Sequence, residues 1–175
     1  MSQLSYIKEI NYSPNFDIKK RNSKDIKFLI FHYTGMKNEN DAIDKLTNSA
    51  SKVSCHYFIR NSGRIVQLVP DLYIAWHAGV SKWKNYQSLN NSSIGIEISN
   101  PGHNFSYKNF SKKQINSILL LSKILIKKYK INSKNILGHS DIAPNRKKDP
   151  GEKFPWKFFS KKKWDIGIRL IEKFY

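Results

Sequence analysis

The segment that decides the fold is FLIFHY, residues 28–33. Four apolar residues, two of them aromatic, are followed there by a histidine and a tyrosine. A short apolar run of this kind favours a buried β-strand, because strands are about four to eight residues long and helices are usually longer. The segment therefore predicts a buried strand that carries His32 near its end.

Four more segments outward from this strand have strand character. They are HYFIR (56–60), RIVQLV (64–69), IGIEIS (94–99) and a short one at 135–138. The Asn-Ser-Gly between the first two predicts a β-hairpin with Gly63 in its turn. In IGIEIS, isoleucine alternates with small or acidic residues, as in a strand with two different faces.

Three helices are predicted, at 39–50, 111–130 and 164–175. The second has the clearest signals, because Ser111 can cap it and Gln114 stands three residues on. Its apolar stripe comprises Ile115, Ile118, Leu119, Ser122, Leu125 and Ile126. Strands interleaved with helices predict an α/β or α+β sheet protein. Residues 1–24 read as an N-terminal extension packed on a single domain that spans 25–175.

Composition narrows the class of protein. A chain of 175 residues with 39% apolar and 13% aromatic residues suits one globular domain. No apolar run reaches the roughly 20 residues that span a bilayer. The first residues lack an apolar stretch after a basic start, so we expect no signal peptide and a cytoplasmic protein. A periplasmic or cell-envelope protein is the alternative.

The net charge of +18 allows two interpretations. It could mark a polyanionic partner such as nucleic acid or an anionic envelope surface. However, 26 of the 31 cations are lysine and only 5 are arginine, whereas phosphate and base recognition favours arginine. We favour compositional drift, and we expect no nucleic-acid partner.

The loop GHSDIAPNRKKDPG (138–151) fits no helix or strand pattern. Its His139 and Asp149, together with His32, could make a zinc site of two histidines and one carboxylate. No local motif such as H-E-x-x-H is present, so the spacing alone is weak evidence. On spacing alone, His32 is an ordinary histidine at a strand end and Asp149 a turn residue before Pro150.

Four segments together resemble a known family. They are FLIFHYTG, SCHYFIRNSGRIVQLVPDLYIAWHAGVSKW, NSSIGIEISNPG and GHSDIAPNRKKDPGEKFPW, and they extend over about residues 26 to 175. In this order they resemble the zinc-dependent N-acetylmuramoyl-L-alanine amidases of the amidase-2 type. These proteins share a fold with peptidoglycan recognition proteins and phage lysozyme-type amidases. The resemblance implies a central mixed β-sheet flanked by helices.

The resemblance also implies a site. The family's ligands for one zinc ion fall on His32, His139 and Asp149, and its catalytic acid on Glu97. Its catalytic lysine falls on Lys147, although Lys148 stands beside it. Some relatives carry a tyrosine where this chain has Cys55, so the general-base role rests on Glu97.

The implied reaction is cleavage of the amide between N-acetylmuramic acid and the L-alanine of a peptidoglycan stem peptide. The substrate is a muropeptide, of the 1,6-anhydro form in recycling, or intact murein. A binding module of the same fold without turnover is the alternative. Expected substrate contacts are His77, Trp76, Asn100 and Arg146. We expect a monomer without a membrane span.

Overall fold

The computed structural model describes residues 6–7 and 9–161 of the chain. Within them lie ten strands: β1 (Glu9–Ile10), β2 (Phe16–Asp17), β3 (Phe28–Tyr33), β4 (Tyr57–Ile59), β5 (Ile65–Gln67), β6 (Ile74–Ala75), β7 (Lys82–Trp83), β8 (Tyr86–Gln87), β9 (Ser93–Ile98) and β10 (Ile136–Gly138). The same residues form four α-helices: α1 (Glu39–Thr47), α2 (Lys112–Tyr129), α3 (His139–Ile142) and α4 (Trp156–Lys161).

Six strands form the central sheet in the order β1-β5-β4-β9-β3-β10. The four strands β4, β9, β3 and β10 are parallel, whereas β5 runs antiparallel to β4 and β1 parallel to β5. The predicted central mixed sheet flanked by helices is therefore confirmed. None of the helices in the described part of the chain is both long and apolar enough to cross a bilayer.

The strand β3 has the predicted bounds, and its two faces enter different parts of the core. Leu29 and Phe31 pack into the cluster that α2 covers. Phe28 and Ile30 point to the other face, toward Ala78 and Leu137. His32 follows this second pair in the two-residue period, so it lies on the face opposite α2.

Strand β9 repeats this division beside it. Ile94, Ile96 and Ile98 are fully buried in the α2 cluster. The intervening residues Ser93, Gly95 and Glu97 pair in register with Phe28, Ile30 and His32. The alternation in IGIEIS thus leaves small and acidic residues on the face that carries His32.

Other predicted elements differ in detail from the structure. The hairpin is confirmed, with Gly63 at φ +81 in its turn. Helix α2 is capped by Ser111 and Gln114 as predicted. Helix α1 ends at Thr47, since Asn48 caps a separate short 3-10 turn over Ser49–Ser51.

The loop after β10 is not wholly irregular, because it begins with α3, a helix of four residues. The helix predicted at 164–175 lies outside the described residues. In the N-terminal segment, β1 joins the central sheet and β2 pairs with β6. The division of the chain at residue 25 stays a prediction.

Candidate metal centre

Three parallel strands bring the polar residues of the site to one edge of the sheet. His32 is the fifth residue of β3, Glu97 is the fifth of β9, and His139 directly follows β10. The carboxyl ends of parallel strands meet at the same edge, which is where sites in such sheets form. The topology therefore gathers residues that are far apart in the sequence.

Three side-chain atoms converge at this edge. The Nδ1 atom of His32 lies 2.9 Å from Nδ1 of His139 and 3.0 Å from Oδ2 of Asp149. The third side of the triangle, from His139 Nδ1 to Asp149 Oδ2, measures 3.1 Å. All three residues are buried. The three expected ligands therefore lie together, with one ligand atom each pointing at a common centre.

The loop between His139 and Asp149 is closed by close contacts at its two ends. The backbone N–H of Ser140 donates to the Asp149 carbonyl over 2.8 Å. Gly138 meets Pro150 so closely that a Cβ atom on it would lie 2.6 Å from the proline Cδ. The glycine and the proline thus let the loop return to its start, and the return places Asp149 beside His139.

Burial controls the charge of these groups. Burial, followed by repulsion from His139, lowers the pKa of His32 to about 4. Burial alone would raise the pKa of Asp149, but the neighbouring His139 and His32 outweigh it and hold that pKa below its usual range. The site at neutral pH therefore offers a neutral imidazole and a carboxylate.

The backbone of the WHAG segment orients His139. Its Nε2 atom lies 3.1 Å from the Ala78 carbonyl oxygen, which can only accept a hydrogen bond. With Nε2 donating to this carbonyl, the lone pair of Nδ1 is the one that His139 offers to a metal. That lone pair faces the Asp149 carboxylate, so two electron-rich atoms meet at 3.1 Å.

This arrangement fits a bound zinc ion. Zinc takes imidazole nitrogen and carboxylate oxygen at about 2.0 to 2.2 Å, which puts the ligand atoms of a tetrahedral ion roughly 3.3 Å apart. A cation between the facing lone pairs would remove their repulsion. Within residues 6–7 and 9–161, His32, His139 and Asp149 are the group of three or more possible ligands that could hold an ion. Three protein ligands leave a position for water or substrate, as in catalytic zinc sites.

Glu97 is the cross-strand neighbour of His32. Burial, followed by repulsion from Asp149, raises the pKa of Glu97 to about 8, against attraction from Lys147 and Lys45. A carboxyl group with a pKa near neutrality is able both to accept and to return a proton. Its position and its pKa are those of a candidate general base.

The two adjacent lysines of the loop differ in environment. Lys147 is half-buried, whereas Lys148 is exposed. The charge of Lys147 acts on His32 and on Glu97. Both observations favour Lys147 as the lysine that faces the site, and its role stays a prediction.

Two of the expected substrate contacts lie inside the protein. His77 is buried, with Nδ1 3.0 Å from His32 Nε2 and Nε2 3.1 Å from Ser93 Oγ. Asn100 is buried as well, and its amide bonds Lys108 and Gly102 of its own loop. Both side chains use their polar atoms inside the protein, and their role as substrate contacts stays a prediction.

The other two, Trp76 and Arg146, line an open groove of about 920 Å³. The indole N–H of Trp76 donates to Asp17 over 2.7 Å. The guanidinium of Arg146 donates to the carbonyls of Ala78 and Val80. None of the three ligand residues is among those that line this groove, but Arg146 lines it and lies 3.4 Å from His139 Nε2.

Ser93 was missed in the sequence, although it forms part of the site's support. It is fully buried and contacts His77, which in turn contacts a ligand. The available signal was the period of two in SIGIE, which puts Ser93 on the same face as Glu97. The sequence does not give the register between β9 and β3, so the neighbours of Ser93 could not be predicted.

Comparisons with known proteins agree with this geometry. A family model described as N-acetylmuramoyl-L-alanine amidase matches residues 22–152. The chain is 41% identical over 145 residues to the N-acetylmuramoyl-L-alanine amidase AmiD of Escherichia coli, covering 75% of this chain and 51% of that protein. It is 34% identical over 162 residues to the 1,6-anhydro-N-acetylmuramyl-L-alanine amidase AmpD of Haemophilus influenzae, covering 82% and 85%.

Solved structures show the same fold. E. coli AmiD in complex with the substrate anhydro-N-acetylmuramic acid-L-Ala-D-γ-Glu-L-Lys superposes with a TM-score of 0.74 at 37% identity, over 79% of this chain and 57% of that one. A selenomethionine derivative of AmpD gives 0.75 at 29% identity, over 86% and 91%. The chain spans about half the length of AmiD. With the family model matching most of its length, the chain belongs to the N-acetylmuramoyl-L-alanine amidase family of the amidase-2 type.

Proposed function

We propose that the protein is a zinc-dependent hydrolase that cleaves the amide between N-acetylmuramic acid and the L-alanine of a peptidoglycan stem peptide. The observation that carries the proposal is the convergence of His32 Nδ1, His139 Nδ1 and Asp149 Oδ2 within 3.1 Å of one another. Glu97 and Lys147 lie beside this centre, so the groups that amide hydrolysis needs are close together.

Each of these residues has a chemical task in the proposal. Bound zinc supplies a Lewis acid and lowers the pKa of a water to about 7. Glu97 accepts a proton from the attacking water and returns it to the leaving alanine nitrogen. Lys147 places a positive charge beside the carbonyl oxygen, where negative charge develops as the tetrahedral intermediate forms.

The proposed substrate is a soluble 1,6-anhydromuropeptide. Two observations support it: the name of the H. influenzae relative, and the anhydro substrate in the E. coli AmiD complex. Of the expected contacts, the proposal keeps Trp76 and Arg146, because both line an open groove. Monomeric state and cytoplasmic location stay predictions, which light scattering and cell fractionation test.

The test is digestion of anhydromuropeptides and of intact sacculi, with products identified by mass spectrometry. We expect release of peptides that begin with L-alanine from the anhydromuropeptide, loss of this activity after chelation, and recovery with zinc. A full rate in the chelated protein would contradict the zinc mechanism. Muropeptide binding without any product would identify a binding module instead, and faster digestion of sacculi would contradict the proposed substrate.

A further inference from the structure

We propose that His77 and Ser93 are positioning residues that set the tautomer of His32, so that Nδ1 of His32 is the atom left free to bind the metal. This inference rests on the proposed zinc function, but it concerns how the chain prepares its own ligand. It follows from the direction of three successive hydrogen bonds that start at a backbone carbonyl.

The first link is between Ser93 and Leu89. Ser93 Oγ lies 2.6 Å from the Leu89 carbonyl oxygen. A carbonyl can only accept, so the hydroxyl proton of Ser93 is committed to it. The hydroxyl oxygen can then only accept from its other neighbour, which is His77 Nε2 at 3.1 Å.

The second link joins His77 to His32, and the hydrogen-bond direction set at Ser93 determines which atom of His32 donates. His77 is buried, and its two ring nitrogens contact Ser93 and His32 and not a carboxylate, so the ring is neutral and has one N–H. Because Nε2 donates to Ser93 Oγ, that N–H is on Nε2, and Nδ1 is therefore an acceptor. The partner of Nδ1 is His32 Nε2 at 3.0 Å, which must donate. His32 is then protonated on Nε2 and bare on Nδ1, the atom that faces His139 and Asp149.

The chain has a place built for this ring. A Cβ atom on Gly95 would lie 2.4 Å from Cγ of His77, closer than real atoms approach. Only glycine at this position of β9 lets the imidazole lie against the strand. Ser93 and Gly95 of the SIGIE segment thus serve one ring, the first through its hydroxyl and the second through its lack of a side chain.

The segment His77–Ala78 consequently supports both histidine ligands. The Nδ1 atom of His77 accepts from His32, and the carbonyl of Ala78 accepts from His139. Each acceptor keeps the proton of its histidine ligand on Nε2 and leaves Nδ1 of that ligand free to bind the metal. Acceptors of this kind orient metal-binding histidines, and their loss typically weakens metal binding about 10-fold to 100-fold.

Ser93→Ala tests the start of the chain of bonds. It removes the acceptor for His77 Nε2–H, so the ring can take its other tautomer and drive a proton onto Nδ1 of His32. Ser122→Ala is the matched control, because Ser122 is also fully buried but its hydroxyl has no hydrogen-bond partner in the structure described. Zinc affinity should fall about 10-fold to 100-fold in Ser93→Ala and stay within about 3-fold in Ser122→Ala.

A second pair of variants acts at His77 itself. In His77→Asn, the amide oxygen takes the place of Nδ1 and can still accept from His32. In His77→Leu, a side chain of similar bulk offers no acceptor. We expect Asn to retain most of the zinc affinity and Leu to lose it. Both variants remove the ring, so a difference in zinc affinity between them reports the acceptor, and Ser93→Ala tests the inference independently of both.

The measurement is the zinc dissociation constant of each folded protein by competition with a fluorescent chelator. Nitrogen-15 NMR of the histidine rings in the zinc-loaded wild type is the second readout, and it should show His77 protonated on Nε2. Unchanged affinity in Ser93→Ala, an equal loss in Ser122→Ala, or a proton on Nδ1 of His77 would each overturn the inference. A wild type that binds zinc without hydrolysing muropeptides would contradict the proposed function and leave this inference standing.

Discussion

Lys147 and Lys148 are neighbours in the sequence, and we assign the role at the candidate site to the first. Lys147→Ala should lower kcat/KM for the anhydromuropeptide by about 10²-fold to 10³-fold, because a positive charge beside the developing oxyanion is lost. Lys148→Ala serves as the control and should stay within about 2-fold, as exposed substitutions usually do. Steady-state kinetics at equal zinc content check both. An equal loss in Lys148→Ala would show that the wrong lysine is assigned.

Glu97 leads to a prediction about protons at the same scale. With a pKa of about 8, it is mostly protonated at pH 7 in the metal-free protein. A dication held by His32, His139 and Asp149 lowers that pKa, so zinc binding should release up to about one proton from Glu97. Calorimetry in buffers of different ionisation enthalpy counts the protons. Glu97→Gln should bind zinc and release about one proton fewer; equal counts would contradict the assigned pKa.

At the scale of elements, the loop 138–151 depends on the contact between Gly138 and Pro150. Gly138→Ala puts a Cβ 2.6 Å from the proline ring, so the loop must shift and move Asp149. We expect a lower zinc affinity in a protein that still folds. Ser111→Ala, which removes the α2 cap, should instead lower the free energy of unfolding by about 1 kcal/mol with zinc affinity unchanged. Chelator competition and urea unfolding of both variants separate the two effects.

An element could be predicted from the sequence where the interactions that form it are between residues close together in the chain. The bounds of β3 and the cap of α2 could be read from the sequence, because apolar period and capping act between near neighbours. The helix α3 could not, since four residues are too few to show a helical period. The ligands came from the family resemblance, because His32 and His139 are 107 residues apart and meet only through the pairing of β3 with β10.

The same reason explains why the contact of His77 with His32 was not predicted. Its segment pointed to a cleft residue, but its place behind His32 depends on Gly95, which lies in another strand. A contact between three segments has no signature in any one of them. Predicting this contact would have required the register between β3 and β9.

At the scale of the whole molecule, buried neutral histidines make the metal-free protein sensitive to acid. Burial lowers the pKa of His32 to about 4 and that of His56 to about 3. The unfolded chain takes up these protons near pH 6.5, and the folded protein does not. The free energy of unfolding should therefore fall as pH drops from about 6.5 toward 4.

Urea unfolding at pH 7 and pH 5 tests this. His56→Gln lacks one of the groups, so its free energy of unfolding should fall less over this interval than that of the wild type. An identical fall in the two proteins would show that His56 is not held neutral by the fold.

The central claim is that His32, His139 and Asp149 hold one zinc ion. Anomalous diffraction from crystals of the zinc-loaded protein, recorded on both sides of the zinc absorption edge, tests it most directly. We predict a single anomalous peak about 2.0 to 2.2 Å from His32 Nδ1, His139 Nδ1 and Asp149 Oδ2. No peak at these three atoms, or a peak bound elsewhere while they stay hydrogen-bonded to one another, would contradict the account.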